Sequence, residues 1–205
     1  MIPIDGIPVL EREICSLRNQ GFTDIIITVS HMGNVIMEHF GDGSGCSPVT
    51  GERFGVNITY YNEEVPLGNV GALFKIRDKL GEEPFLLLNG DAVFDVDFNR
   101  MAAFHKAHDR QGILVTVFTH PNSHPYDSGV LIADECGAVT RWLTKEDQRP
   151  KFYKNRVNAG LHILDPAVLD MFIRRMGEMG KKGIDVDKIG TIDPDSGKMV
   201  KVDLD

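Results

Sequence analysis

Short continuous apolar runs alternate along this chain with stretches whose apolar residues recur every three to four positions. Residues 8–20 place Val9, Leu10, Ile14 and Leu17 on one helical face, with Gly21 just past them as a stop signal. Residues 25–29 form a buried-strand run, residues 32–40 a second helix, and residues 41–51 a glycine-rich stretch that reads as a mobile surface loop. Strand and helix then alternate through residues 56–61, 69–80, 85–89, 99–108 and 113–119. Such alternation predicts an α/β fold, a doubly wound, mainly parallel sheet flanked by helices. After residue 119 the predicted strands shorten, at 129–132, 139–143 and 161–164, and a helix over 166–175 precedes a stretch at 177–183 whose glycines and charges read as flexible.

The run over residues 85–91, Phe-Leu-Leu-Leu-Asn-Gly-Asp, carries the first hint of chemistry. Its apolar part reads as a strand covered on both faces, and in open α/β sheets ligands sit at the carboxyl ends of such strands. Asn89, Gly90 and Asp91 stand at that end, although a turn aspartate capping the next element would give the same local pattern. Upstream, the strand-like run 56–61 leads into Glu63-Glu64-Val65-Pro66-Leu67-Gly68-Asn69-Val70-Gly71. Pro66 fixes a turn, Gly68 and Gly71 let backbone approach a ligand, and helical composition takes over at Ala72. An ordinary strand-to-helix turn is the alternative reading of this segment.

Together the two segments resemble the sugar-1-phosphate nucleotidyltransferases, which make nucleotide-activated sugars. Residues 1–10 are similar to the segment after the family's lysine–proline pair, residues 139–145 to the strand bearing its lysine, and Asn158-Ala159-Gly160 to its sugar-binding turn. The string His124-Pro125-Tyr126-Asp127-Ser128 resembles a subgroup acting on heptose 1-phosphate or related sugars, with a turn carrying an Asp side-chain cap as the other reading. The chain as a whole is most similar to mannose-1-phosphate or heptose 1-phosphate guanylyltransferase-like members. The resemblance implies a Rossmann-like, glycosyltransferase-A-like fold in a single domain, its sheet mixed but mainly parallel. Residues 1–119 would hold the nucleotide and 120–205 the sugar. It also implies transfer of a nucleoside monophosphate from a nucleoside triphosphate, with GTP favoured, to a sugar 1-phosphate, releasing pyrophosphate.

In that reading Asp91 is a Mg²⁺ ligand, Lys145 reaches the sugar phosphate and Lys201 makes a further phosphate contact. Glu63 or Glu64 accepts hydrogen bonds from the nucleobase. Pro66, Leu67, Gly68, Gly71, Asn89 and Gly90 line the substrate site, with Asn158, Ala159 and Gly160 on the sugar. Thr144-Lys145-Glu146 stands where Glu-Lys-Pro is usual, so a solvated surface lysine is the other reading of Lys145. Family members begin with a strand and a glycine-rich, arginine-bearing loop that wraps the triphosphate, and this chain starts just past that point. Residues 201–205 resemble a segment that precedes a second metal-binding aspartate, also missing. The expectation is a fragment or a degenerate member, truncated at both ends, whose sheet lacks the strand that residues 25–29 and 85–89 would share. Two other functions fit less closely: a non-catalytic sugar-nucleotide-binding or regulatory subunit of the same fold, and a glycosyltransferase with a comparable strand-end aspartate.

Composition narrows the partners. A chain of 205 residues, 42% hydrophobic, suits one globular domain. Its 22 basic and 30 acidic residues give a net charge of −8, which disfavours nucleic acid and anionic membrane while leaving small phosphorylated ligands open. Three widely spaced cysteines imply neither a disulfide framework nor a zinc site. No basic leader and no run of 18 apolar residues is visible, so a cytoplasmic protein is expected, with self-association left open. Asp95 and Asp97 read as turn and cap residues, and His105 with His108 as a polar helix face.

Overall fold

A computed structural model of the chain describes residues 2–63, 68–108, 112–124, 126, 128–144 and 147–181. It opens on a hairpin that the sequence reading passed over, β1 (Pro3–Ile4) and β2 (Ile7–Pro8), turned at Asp5 and Gly6 with φ of 49° and 78°. Asp-Gly is the usual chemistry of such a turn, since both central residues need positive φ. Helix α1 (Val9–Asn19) buries Val9, Ile14 and Leu17. It ends as its sequence predicts: Gly21 (φ 91°) donates to the Arg18 carbonyl at 3.0 Å and Phe22 to the Leu17 carbonyl at 3.0 Å, which satisfies two carbonyls of the last turn. Phe22 then packs with Leu17 in the core.

The chain continues through β3 (Asp24–Val29), α2 (Gly33–Phe40) and β4 (Asn57–Asn62), and β3 and β4 pair in parallel from Asp24 opposite Asn57 to Val29 opposite Asn62. Helix α3 (Gly68–Lys75) and a 3₁₀ turn at Arg77–Lys79 lead to β5 (Phe85–Leu88). The single helix expected over 69–80 is therefore two pieces. Arg77 explains the second, because its guanidinium grips Asp170 through two bonds of 2.9 and 2.8 Å and ties the turn to the last helix. Then come α4 (Phe98–His108), β6 (Val115–His120), β7 (Val130–Ala133), β8 (Val139–Leu143), β9 (Val157–Leu164) and α5 (Pro166–Lys181). Helix α5 runs through Gly177 and Gly180, so the flexible stretch expected from 177 onward is helical as far as Lys181.

The mixed α/β class holds, and its strands fall into two main groups. One is the parallel pair β3–β4. The other is centred on β9, which carries β5 along one edge and β6 along the other, all antiparallel, with β7 meeting it at Val157 and β8 pairing β7. Antiparallel pairing is more extensive than strand–helix alternation suggests, because the strands after residue 119 are joined by turns rather than helical crossovers.

Both groups share the same covering layers. Ile25 and Ile27 of β3, and Leu86 and Leu88 of β5, pack with α1, α2 and α4, whereas Ile26, Phe85 and Leu87 pack with α3 and α5. Opposite faces at alternate positions are what strand geometry requires. The strand that would lie between the groups is missing from the described residues: β3 and β5 each have one unpaired edge. A cavity of about 860 Å³ lies there, bounded by Ile25–Thr28, Phe85–Leu88 and residues of α1 and α3. This is the gap expected between residues 25–29 and 85–89.

The glycine-rich stretch 41–51 is built into the fold rather than loose. Ile58 donates to the Asp42 carbonyl (2.9 Å) and Val56 to that of Gly43 (3.2 Å), and a Cβ on Gly43 would fall 2.6 Å from the Val56 carbonyl oxygen. Beneath it Glu11, 1% exposed, bonds His39 Nε2 at 2.7 Å and accepts from the Thr50 hydroxyl at 3.1 Å. Burial alone would raise the Glu11 carboxyl, but hydrogen bonds from Ser47, His39 and Thr50 outweigh it and hold it below the usual carboxylate range. That stabilisation is complete above the unfolded-state pKa and is lost as pH falls through the lowered folded one. Glu11→Gln is expected to destabilise the chain at pH 7 by about 1.5–3 kcal/mol, the range for hydrogen bonds to a charged group. In urea unfolding, its curve should converge with the parent's as pH falls through the lowered folded-state value.

Candidate functional site

At the carboxyl end of β5 the chain leaves the sheet through Asn89, Gly90 and Asp91. Asn89 extends the pairing by one residue, its amide donating to the Gly160 carbonyl at 3.0 Å. Gly160 has φ of 76°, and a Cβ there would lie 2.4 Å from Asn89 Nδ2, so the Asn89 amide rests directly on the glycine. The Gly160 amide in turn donates to Asn158 Oδ1 at 3.0 Å. Asn158, Ala159 and Gly160 are therefore not a turn, as expected, but a bulged part of strand β9. The ladder to β6 passes from Val117–His162 to Thr119–Asn158 and leaves extra residues on β9. Two predicted segments about seventy residues apart in sequence thus meet edge to edge.

Asp91 is exposed at this strand end. Facing it is a residue that the sequence reading missed. Glu13 of α1 is 6% exposed, its Oε1 has no hydrogen-bond partner, and it lines the cavity beside Gly90. Burial first, and the negative charge of Asp91 second, push its carboxyl up to about 8. The signal was present in the sequence: Glu13 sits four residues from both Val9 and Leu17, on the apolar face. Glu63 follows the end of β4, where its backbone amide donates to the Val29 carbonyl at 2.7 Å, and it lines the same cavity. Asp91 and Glu63 thus follow the carboxyl ends of β5 and β4, and Glu13 faces that same end of the sheet.

The other predicted positions divide. Gly68 and Gly71 lie within helix α3 rather than in a loop, Gly68 as its first residue. Glu64, Pro66, Leu67, Lys145 and Lys201 lie outside the described residues. Asp97 caps α4, its carboxylate accepting from the Arg100 amide at 2.8 Å, as expected of it. His105 departs from the polar-face reading: it is 3% exposed, with Nδ1 bonded to the Thr116 hydroxyl at 2.8 Å, because its side of α4 packs on β6. Among the described residues no group of three or more His, Cys, Asp or Glu side chains could hold a metal ion. A lone strand-end carboxylate still suits Mg²⁺, which takes one or two carboxylates and completes its shell with phosphate oxygens and water.

Comparison with known proteins places this geometry. A family model described as nucleotidyl transferase matches residues 1–192. The chain belongs to the nucleotidyl transferase family. Over 167 residues it is 34% identical to mannose-1-phosphate guanyltransferase beta-B of Xenopus laevis, covering 80% of this chain and 42% of that protein. It is also 34% identical over 167 residues to the mannose-1-phosphate guanyltransferase of Saccharomyces cerevisiae, covering 80% and 43%. The chain thus spans less than half the length of these relatives. Among solved structures, a putative glucose-1-phosphate thymidylyltransferase from Bacillus anthracis, in complex with a sucrose, superposes with a TM-score of 0.69 at 21% identity, covering 92% of this chain and 71% of that one. HddC from Yersinia pseudotuberculosis, complexed with GMP-PN, gives 0.62 at 21%, covering 83% and 68%. These two likenesses establish the fold. In the described residues no helix is long and apolar enough to cross a membrane.

The raised Glu13 carboxyl makes a prediction about this nucleotidyl transferase fold. Because the folded state holds the proton more tightly than the unfolded chain, stability falls as pH rises from the ordinary glutamate range toward 8. Glu13→Gln, which keeps the volume and never ionises, should be more stable than the parent at pH 8. The difference should shrink toward pH 5 when urea unfolding is measured at both. A difference independent of pH would mean that Glu13 is not held protonated.

Proposed function

We propose that this chain binds a nucleoside triphosphate and a sugar 1-phosphate at the carboxyl ends of β4 and β5, and transfers the nucleoside monophosphate to the sugar. An oxygen of the sugar phosphate attacks the α-phosphorus, the bond to the β-phosphate breaks, and pyrophosphate leaves. The observation that carries this reading is the meeting of Asn89–Gly90–Asp91 with Asn158–Ala159–Gly160 at one strand end. Family membership and the relatives named as mannose-1-phosphate guanyltransferases support it.

Phosphoryl chemistry asks a protein mainly for position and charge neutralisation. Asp91 is the residue that would hold Mg²⁺, which when bound offsets the negative charge of the phosphates. Asn158 and Asn89, fixed against each other across Gly160, offer polar groups to the sugar. Glu63, with Glu64 beside it in sequence, accepts from the nucleobase amino and imino groups, which favours guanine and hence GTP. Pro66, Leu67, Gly68 and Gly71 belong to the nucleotide side of the site. Lys145 and Lys201 are the phosphate-directed cations in this reading. Residues 1–119 form the nucleotide-binding part and 120–205 the sugar-binding part of one cytoplasmic domain. The second reading, a sugar-nucleotide-binding subunit without turnover, uses the same strand-end groups.

Asp91→Asn separates a ligand-binding aspartate from a turn residue in either reading. By titration calorimetry with GDP-mannose, Mg²⁺ should strengthen binding to the parent, and the variant should lose about tenfold or more of that affinity, 1.4 kcal/mol. Its urea midpoint should stay unchanged. Equal Mg²⁺-dependent affinity in the two proteins would remove Asp91 from the site.

A further inference from the structure

Trp142 of β8 is 47% exposed, although tryptophan is one of the more buried residue types. β7 pairs with β8 at Val130 opposite Leu143 and with β9 at Val130 opposite Val157, and these three side chains are buried on one face. Paired residues share a face and successive residues alternate, so Trp142, Asn158 and the side-chain position of Gly129 belong to the other face. Gly129 makes room there for the indole: a Cβ on it would fall 2.6 Å from Trp142 Nε1 and 3.4 Å from Cε2. The ring therefore leans along β8, away from its own pairing partner Leu131 and toward the row that holds Gly129 and Asn158.

That row reaches the strand-end site. Asn158 Oδ1 accepts from the amide of Gly160, the residue against which Asn89 rests. From β5, whose end carries Asp91, across β9 to β7 is two strand spacings, about 10 Å. A phosphate group and the hexose joined to it have that reach. Glu63 lies on the other side of Asp91, after the end of β4. Thr144, across from Gly129 on β8, gives its amide and hydroxyl to Asp147 Oδ2 at 2.6 and 2.9 Å, which leaves the indole as the group presented over Gly129. An indole offers an apolar plane and one N–H donor. A pyranose ring, with C–H groups on its faces and hydroxyls around its rim, can meet both at once.

We propose, on the nucleotidyl-transfer reading of this site, that Trp142 is the platform for the hexose of the sugar 1-phosphate and of the nucleotide-sugar product. One face of the pyranose ring lies against the indole beside Gly129, and hydroxyls at its rim meet Asn158. Position 129 is a glycine because any side chain there would push the indole off the row. The nucleobase is read at the opposite end of the strand ends, by Glu63, so Trp142 senses the sugar and not the base. A tryptophan that only shielded its partner Leu131 would respond to neither.

Trp142 is the only tryptophan in the 205-residue chain, so intrinsic fluorescence reports this one position. With Mg²⁺ present, GDP-mannose should change the emission saturably, and GDP, which lacks the hexose, should leave it nearly unchanged. By calorimetry, Trp142→Ala should lower the affinity for GDP-mannose several-fold, up to about tenfold, the worth of one aromatic contact, and the loss should not extend to GDP. Trp142→Phe, which keeps an aromatic plane, should recover most of it. GDP affinity shows that each variant is folded, and the parent's emission needs no variant at all. Mg²⁺-dependent binding of GDP-mannose with unchanged emission overturns the platform while the nucleotidyl-transfer reading stands, as does equal GDP-mannose affinity in Trp142→Ala. An equal emission change with GDP and GDP-mannose overturns it too, since the nucleotide and not the hexose would then lie on the indole. A parent chain that binds neither ligand overturns the reading of the site itself, and the platform with it.

Discussion

Backbone pairing is the constraint on which this structure turns. A strand covered on both faces must place its amides and carbonyls against neighbours on two edges, because the covering helices keep water away. β3 satisfies one edge with β4, and β5 one edge with β9. What joins the two groups is not a ladder but two shared helical layers. Leu17 of α1 packs among side chains of both β3 and β5, and Ile26 of β3 packs in the cluster that Leu87 of β5 shares with Val168 and Leu169 of α5. Side-chain packing on both faces spans the cavity between β3 and β5.

The candidate site grows from the same arrangement. Strand ends in an α/β sheet expose groups that the sheet interior must pair, so polar residues gather there at little cost. Here Asp91 and Glu63 gather at the carboxyl ends of β5 and β4, with Glu13 facing them from α1. Asn89 is fixed from a different direction: β9 crosses beside β5 antiparallel, and its bulge at Gly160 brings a backbone without a side chain under the Asn89 amide. Any side chain at position 160 would displace Asn89, which explains a glycine in the middle of an otherwise buried strand.

How much of this was legible in the sequence differs by element. The apolar run 85–88 and its polar end were plain, as was the α1 stop at Gly21, because each rests on local chemistry. The Asp5-Gly6 hairpin was equally local and was overlooked amid longer patterns. Asn158–Gly160 read as a turn because Gly and Asn signal turns locally, while the fact that decides its conformation, a neighbouring strand at Asn89, is about seventy residues away. The stretch 41–51 read as mobile for its glycines; the buried Glu11 that anchors it looks, in sequence, like one more exposed helical charge. Glu13 was hidden for the opposite reason, since a carboxylate on an apolar face breaks the pattern used to find the helix. The mainly parallel sheet was an extrapolation from the first half of the chain to a second half built from turns.

The central claim is that, among the described residues, β3 and β5 each pair on one side only and face each other across a cavity. Residue-resolved amide hydrogen exchange on the free chain tests it most directly. In each strand, amides pointing toward β4 or β9 should exchange slowly, while the alternate amides pointing into the cavity exchange orders of magnitude faster. Uniform slow exchange along both strands in a monomeric chain would contradict the account, because it would mean that β3 and β5 pair with each other or with another segment of the same chain.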